Sequence, residues 1–113
     1  MAAAFVPGRG DIVWLQFTPH AGHGQAGRRP AVVVSPREYN RRVGLALVCP
    51  ITSRVKGYPF EVALPPGLGV EGVVLADQIR SLDWRVREAD PVCALPKETF
   101  TDVLLKLGTL VAE

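Results

Sequence analysis

Gly10-Asp11-Ile12-Val13-Trp14-Leu15-Gln16-Phe17 and Arg28-Arg29-Pro30-Ala31-Val32-Val33-Val34-Ser35-Pro36 bracket a polar loop, and the two stretches together have the pattern of a strand pair. In the first stretch Val13, Leu15 and Phe17 alternate with Trp14 and Gln16, the period of a strand with one apolar face. In the second, Ala31 to Ser35 is a valine-rich run that suits a strand buried on both faces, and Pro36 ends it. Between them, Pro19, Gly22, Gly24 and Gly27 mark a mobile or ligand-facing loop, since glycine allows positive φ and close backbone approach. Arg28 and Arg29 stand at the mouth of the buried strand. Another apolar strand, Leu45 to Pro50, runs on into the hydroxyls of Thr52 and Ser53. A permanent cation and a hydroxyl, each held at a strand end, suit a phosphodiester better than a hydrophobic ligand.

Working outward, Arg37 to Val43 is short and polar, a helical turn or loop. Phe60, Val62 and Leu64 alternate with Glu61 and Ala63 as a fourth strand, and Pro65-Pro66-Gly67-Leu68-Gly69 forms a turn. Gly72 to Arg80 holds a fifth strand, and Arg87 to Leu95 a short sixth. The tail changes period: Phe100, Val103, Leu104, Leu107, Leu110 and Val111 form one apolar stripe of a helix. Pro96 suits its first turn, and Glu98 complements its N-terminal dipole. The expected architecture is mainly β with a C-terminal helix over the sheet: a small, partly open β-barrel in a single domain, 1–113.

A chain of 113 residues, 48% of them hydrophobic, has one core's worth of apolar side chains and is not a disordered segment. No apolar run approaches the roughly 20 residues of a membrane-spanning helix. The apolar start, Met1 to Pro7, lacks a basic n-region and a long h-region, so the cytoplasm is the expected compartment. Cys49 and Cys93 sit in apolar strand-like runs and read as buried thiols. Charge is uneven: Arg28, Arg29, Arg37, Arg41, Arg42, Arg54 and Lys56 crowd the block from 28 to 56 against a single acid, Glu38. Such a block attracts a polyanion although the whole chain carries only +2.

Four separated segments resemble the MazF/PemK family of toxin endoribonucleases: Gly10 to Trp14, Gln25 to Pro36, Lys56-Gly57-Tyr58-Pro59-Phe60-Glu61-Val62, and Ala76-Asp77-Gln78-Ile79-Arg80-Ser81-Leu82-Asp83-Trp84-Arg85. The resemblance implies an SH3-like barrel of the MazF/PemK/CcdB type and a homodimer. It also implies metal-free, sequence-selective cleavage of single-stranded RNA with no cofactor, and neutralisation by a MazE-like antitoxin. The antitoxin is expected to lay a flexible acidic segment into the basic groove.

On that resemblance Arg29 and Thr52 match the catalytic pair. A guanidinium can grip two phosphate oxygens and stabilise transition-state charge, while a hydroxyl can donate to a non-bridging oxygen. Many relatives carry Glu just before the loop Gln, where this chain has Gly24. His23, or His20, is therefore expected to supply the general base. The His20-His23 spacing alone is weak as a zinc motif, and no metal is expected. Arg28, Arg54 and Lys56 are the expected phosphate ligands, Gln25 and Gln78 the readers of base edges, and Phe17 and Tyr58 the stacking platforms. Thr18 and Ser53 complete the RNA-binding set. Trp14 and Trp84 are expected in the core or the dimer interface, and Asp77 is read as structural, holding Arg80 or a loop backbone. Two alternatives remain at this point. One is a CcdB-like toxin that binds a protein such as gyrase. The other is an RNA-binding barrel whose cleavage Gly24 has weakened.

Overall fold

The computed structural model describes residues 5–18 and 27–112. Strands β1 (Asp11–Gln16) and β2 (Arg28–Val33) pair antiparallel, with Ile12 opposite Val32 and Gln16 opposite Arg28. A short helix, α1 (Arg37–Val43), follows and ends on Gly44 in the left-handed conformation. Strand β3 (Ala46–Thr52) then returns beside β2. Next come β4 (Glu61–Ala63), β5 (Val73–Leu75), β6 (Arg80–Leu82), β7 (Asp90–Ala94) and the closing helix α2 (Lys97–Val111). The sheet order is β4-β5-β3-β2-β1-β7, with β6 also paired to β3. The two ends of this path are not joined, so the sheet curls without closing, as the sequence led one to expect.

The valine run behaves as its composition dictates. Val32 packs on one face with Ile12, Cys49, Ile51 and Val74, while Ala31 and Val33 pack on the other with Val13, Leu15, Val48 and Trp84. Helix α2 covers the first face with Val103 and Leu107, Phe100 packing at its edge. Its stripe is wider than the surface it buries: Leu104, Leu110 and Val111 remain exposed. Behind α1, buried Asn40 ties three segments together. It accepts from Ser35 Oγ at 2.5 Å and donates to the Pro7 carbonyl at 2.8 Å, and its own carbonyl accepts from the Trp84 indole at 2.9 Å.

One expected element splits. The run Gly72 to Arg80 is two strands, because the chain turns at Ala76 and Asp77 with the Gln78 N–H donating back to the Leu75 carbonyl. Strand β5 pairs with the end of β3, Val73 opposite Thr52, while β6 pairs with its beginning, Leu82 opposite Ala46. Arg87 to Leu95 likewise starts in a turn, and only Asp90–Ala94 is strand. Both cysteines are free; Cys49 is buried and Cys93 half-buried. No helix among the described residues is long and apolar enough to cross a membrane.

Candidate functional site

The last pair of the β2–β3 ladder is Ala31 opposite Pro50. Two residues further on each strand, that register sets Arg29 against Thr52. Both line an open groove of about 500 Å3, together with Trp14, Pro30, Ile51, Ser53, Arg54 and Glu71. A second hollow of about 550 Å3 shares Thr52 and Arg54 and continues past Lys56, Tyr58, Glu61, Asp77 and Gln78. Thr52 and Arg54 thus sit at the junction of one long, two-lobed groove.

Gly72 closes one side of it. Its φ of +119° is open to glycine and disfavoured for other residues, and a Cβ there would run into the Thr52 carbonyl oxygen. The segment bearing Glu71 can therefore lie directly against Thr52 and Ser53. Thr52 is itself fixed, because its Oγ1 accepts the Arg54 backbone N–H at 3.1 Å, which leaves the hydroxyl proton to donate to a ligand.

The basic block separates cleanly once its partners are known. Arg37 pairs with Asp11 at 3.1 Å, and Arg41 and Arg42 both pair with Glu38 at 2.7 Å, which lowers the Glu38 pKa. Arg28 pairs with Asp90 at 2.6 Å and also donates to the Glu88 carbonyl at 2.9 Å. What remains is Arg29, Arg54 and Lys56, whose side chains make no hydrogen bond or ion pair with the described residues; all three line the groove. Three cations with no ion pair among the described residues thus line the groove beside the carboxylates of Glu61, Glu71 and Asp77, and each is placed to contact a phosphate.

Several sequence expectations change in this geometry. The Arg28 side chain, only 16% exposed and doubly engaged, is an architectural tie holding the turn at Glu88 (φ +53°), not a spare phosphate ligand. Phe17 is 7% exposed and carries the Arg80 guanidinium 5.4 Å over its ring, so it offers no open face for a base. Asp77 holds neither Arg80 nor a loop backbone: it accepts the Tyr58 hydroxyl at 2.8 Å, which raises the Tyr58 pKa. Its other oxygen, Oδ1, is buried with no hydrogen-bond partner among the described residues. Of the two places expected for the tryptophans, core or dimer interface, Trp84 takes the core; Trp14 is outside it, 36% exposed and lining the groove. Thr18 is exposed, and its carbonyl accepts from the Gln16 amide at 3.3 Å. Ser53, Arg54, Lys56, Tyr58 and Gln78 are exposed along the groove. His20, His23, Gly24 and Gln25 lie outside the described residues.

Sequence reasoning missed Trp14 and Glu71. The first was signalled: if Val13 and Leu15 point to one core, Trp14 must face the other side of β1. Glu71 had no signal, since its place depends on how Gly72 meets β3. The buried Cys49 thiol is pushed up to about 12 by burial and secondarily by the Asp77 charge, so it is no nucleophile.

The description of a PemK-like, MazF-like toxin of a type II toxin-antitoxin system matches residues 8–111. The endoribonuclease toxin MazF of Escherichia coli K12 is 43% identical over 111 residues, covering 98% of this chain and 99% of that one. A crystal structure of MazF from Deinococcus radiodurans superimposes with a TM-score of 0.88 at 56% identity, covering 97% of this chain and 100% of that one. A MazE-MazF crystal structure from the same organism matches with a TM-score of 0.86 at 51% identity, covering 96% and 98%. The open, antiparallel sheet with its closing helix is shared with these solved MazF structures, and the chain belongs to the PemK/MazF family.

Proposed function

We infer that this chain is an endoribonuclease toxin that cuts single-stranded RNA in the two-lobed groove without a metal. The observation that carries this reading is the convergence of Arg29 and Thr52 in a groove with Arg54 and Lys56, cations that make no ion pair among the described residues. The ribose 2′-oxygen attacks the adjacent phosphorus, the bond to the 5′-oxygen breaks, and a cyclic phosphate and a 5′-hydroxyl result. Arg29 neutralises charge growing on the phosphoryl oxygens, and Thr52 donates to one of them and holds the phosphate in line. Arg54 and Lys56 seat the flanking phosphates. His23 or His20 takes the proton from the 2′-hydroxyl, and the departing 5′-oxygen receives one from the Arg29 guanidinium, which solvent water then reprotonates.

The bases are read in the lobes. Trp14 and Tyr58 offer aromatic faces, and the exposed amide of Gln78 is able to read a base edge. Gln25 completes the base-reading set from the preceding loop. The protein works in the cytoplasm, as a homodimer, with the exposed Leu104, Leu105, Leu110 and Val111 of α2 as apolar surface for assembly. A MazE-like antitoxin inhibits it by laying an acidic segment over Arg29, Arg54 and Lys56. A protein-binding toxin of the CcdB kind is not favoured, because it has no use for the paired Arg29 and Thr52.

Incubating the pure protein with a long single-stranded RNA in EDTA tests the reading. Discrete cuts ending in cyclic phosphates are expected. RNA retained but uncut would leave only a binding barrel, and neither cutting nor retention would refute the reading.

A further inference from the structure

The wall of the second lobe is built on one carboxylate. Glu61 accepts the backbone N–H groups of Lys56 at 3.0 Å, Gly57 at 3.0 Å and Tyr58 at 3.2 Å. The Gly57 φ of +78° turns these successive amides toward a single point, a backbone nest that binds an anion. Here the protein fills the nest with its own side chain. Two further contacts hold the same loop: the Tyr58 hydroxyl donates to Asp77 at 2.8 Å, and Lys106 of α2 donates to the Pro59 carbonyl at 2.6 Å. Without these ties, 53–58 would be an exposed connection with little buried apolar area to order it.

Given the RNA-cleaving groove above, on which this inference rests, we propose that Glu61 is a positioning residue for substrate. By closing the nest it presents Lys56 and Tyr58 to the RNA, and so sets how tightly RNA is held. Arg29 sits on β2, and Thr52 ends β3 with its hydroxyl held by the Arg54 N–H, not by the nest at Lys56, Gly57 and Tyr58, so the chemical step depends on Glu61 far less than RNA holding does.

The sign of the effect separates this proposal from simple charge. Glu61 is an acid lining an RNA groove, so by Coulomb repulsion alone its neutralisation strengthens RNA binding. Positioning predicts the reverse. In Glu61→Gln the amide keeps one acceptor oxygen but turns an N–H donor toward the nest's own donors, and the loop opens.

The test uses the full chain and a short single-stranded RNA containing one cleavage site. Amide hydrogen exchange at Lys56, Gly57 and Tyr58 is measured alongside KM and kcat. Glu61→Gln is expected to speed exchange at those amides and raise KM, each by about 10-fold, with kcat held within about 3-fold. Glu61→Asp, which keeps the charge on a shorter stem, falls between, and it carries the same test if Glu61→Gln does not fold. Tighter RNA binding in Glu61→Gln, unchanged exchange, or faster exchange with an unaltered KM each overturns the proposal alone. A wild-type protein that neither cuts nor retains RNA sinks the functional reading instead, while exchange still reports whether Glu61 orders the wall.

Discussion

Replacing Thr52 with valine keeps the shape of a β-branched side chain and removes only its hydroxyl. Two interactions go with it. The first is the 3.1 Å bond that Oγ1 accepts from the Arg54 N–H. This bond is exposed, so its loss costs about 0.5–1 kcal/mol of stability and little in affinity. The second is the hydrogen bond that, in the proposed mechanism, the hydroxyl donates to a phosphoryl oxygen. Removing one preorganised donor of this type costs about 3–4 kcal/mol of transition-state stabilisation, or about 100- to 1,000-fold in kcat. Arg54 and Lys56 still hold the flanking phosphates, so KM should change by less than about 3-fold. Thr52→Ser keeps the donor and should stay within about 10-fold of the parent rate. Single-turnover cleavage of a fluorescent RNA, with a thermal melt of each variant, makes the comparison. A Thr52→Val protein with native melting and kcat within 3-fold of the parent would refute the role given to this hydroxyl.

Other outcomes follow from the same geometry. Arg28→Ala should lower the melting temperature while leaving the salt dependence of RNA binding unchanged, because Arg28 is spent on Asp90 and Glu88; a smaller salt slope would contradict that. The Cys49 thiol, raised by burial from its ordinary value near 9 to about 12, stays neutral in the folded protein while the unfolded chain ionises. The unfolded state then binds fewer protons, so stability should fall from about pH 9 to about 12, and Cys49→Ala should flatten that fall in denaturant titrations.

How far the sequence could be read depended on the range of the interactions involved. Period-2 alternation in β1 and the apolar run in β2 are local patterns, and both strands and their cores follow from them. The break at Ala76 was hidden, because Gly72 to Arg80 is apolar enough to pass for one strand. Only the competition between β5 and β6 for the two ends of β3 divides it. The cationic groove shows the same limit. Composition located the basic block, but which of its cations are taken up in ion pairs depends on pairings such as Arg28 with Asp90 and Arg37 with Asp11, far apart in the chain. Arg29 and Thr52 were legible because four family segments fixed their places. The structure adds that β2 and β3 carry both to one groove.

The central claim is that Arg29 supplies charge to the breaking phosphodiester, and Arg29→Gln measured against Arg29→Lys tests it most directly. With kcat/KM on a single-site RNA at fixed salt, the glutamine variant should lose at least about 1,000-fold, and lysine, a point charge without the fork, should recover only part of it. A folded Arg29→Gln protein that cuts at a rate near the parent's would contradict the account.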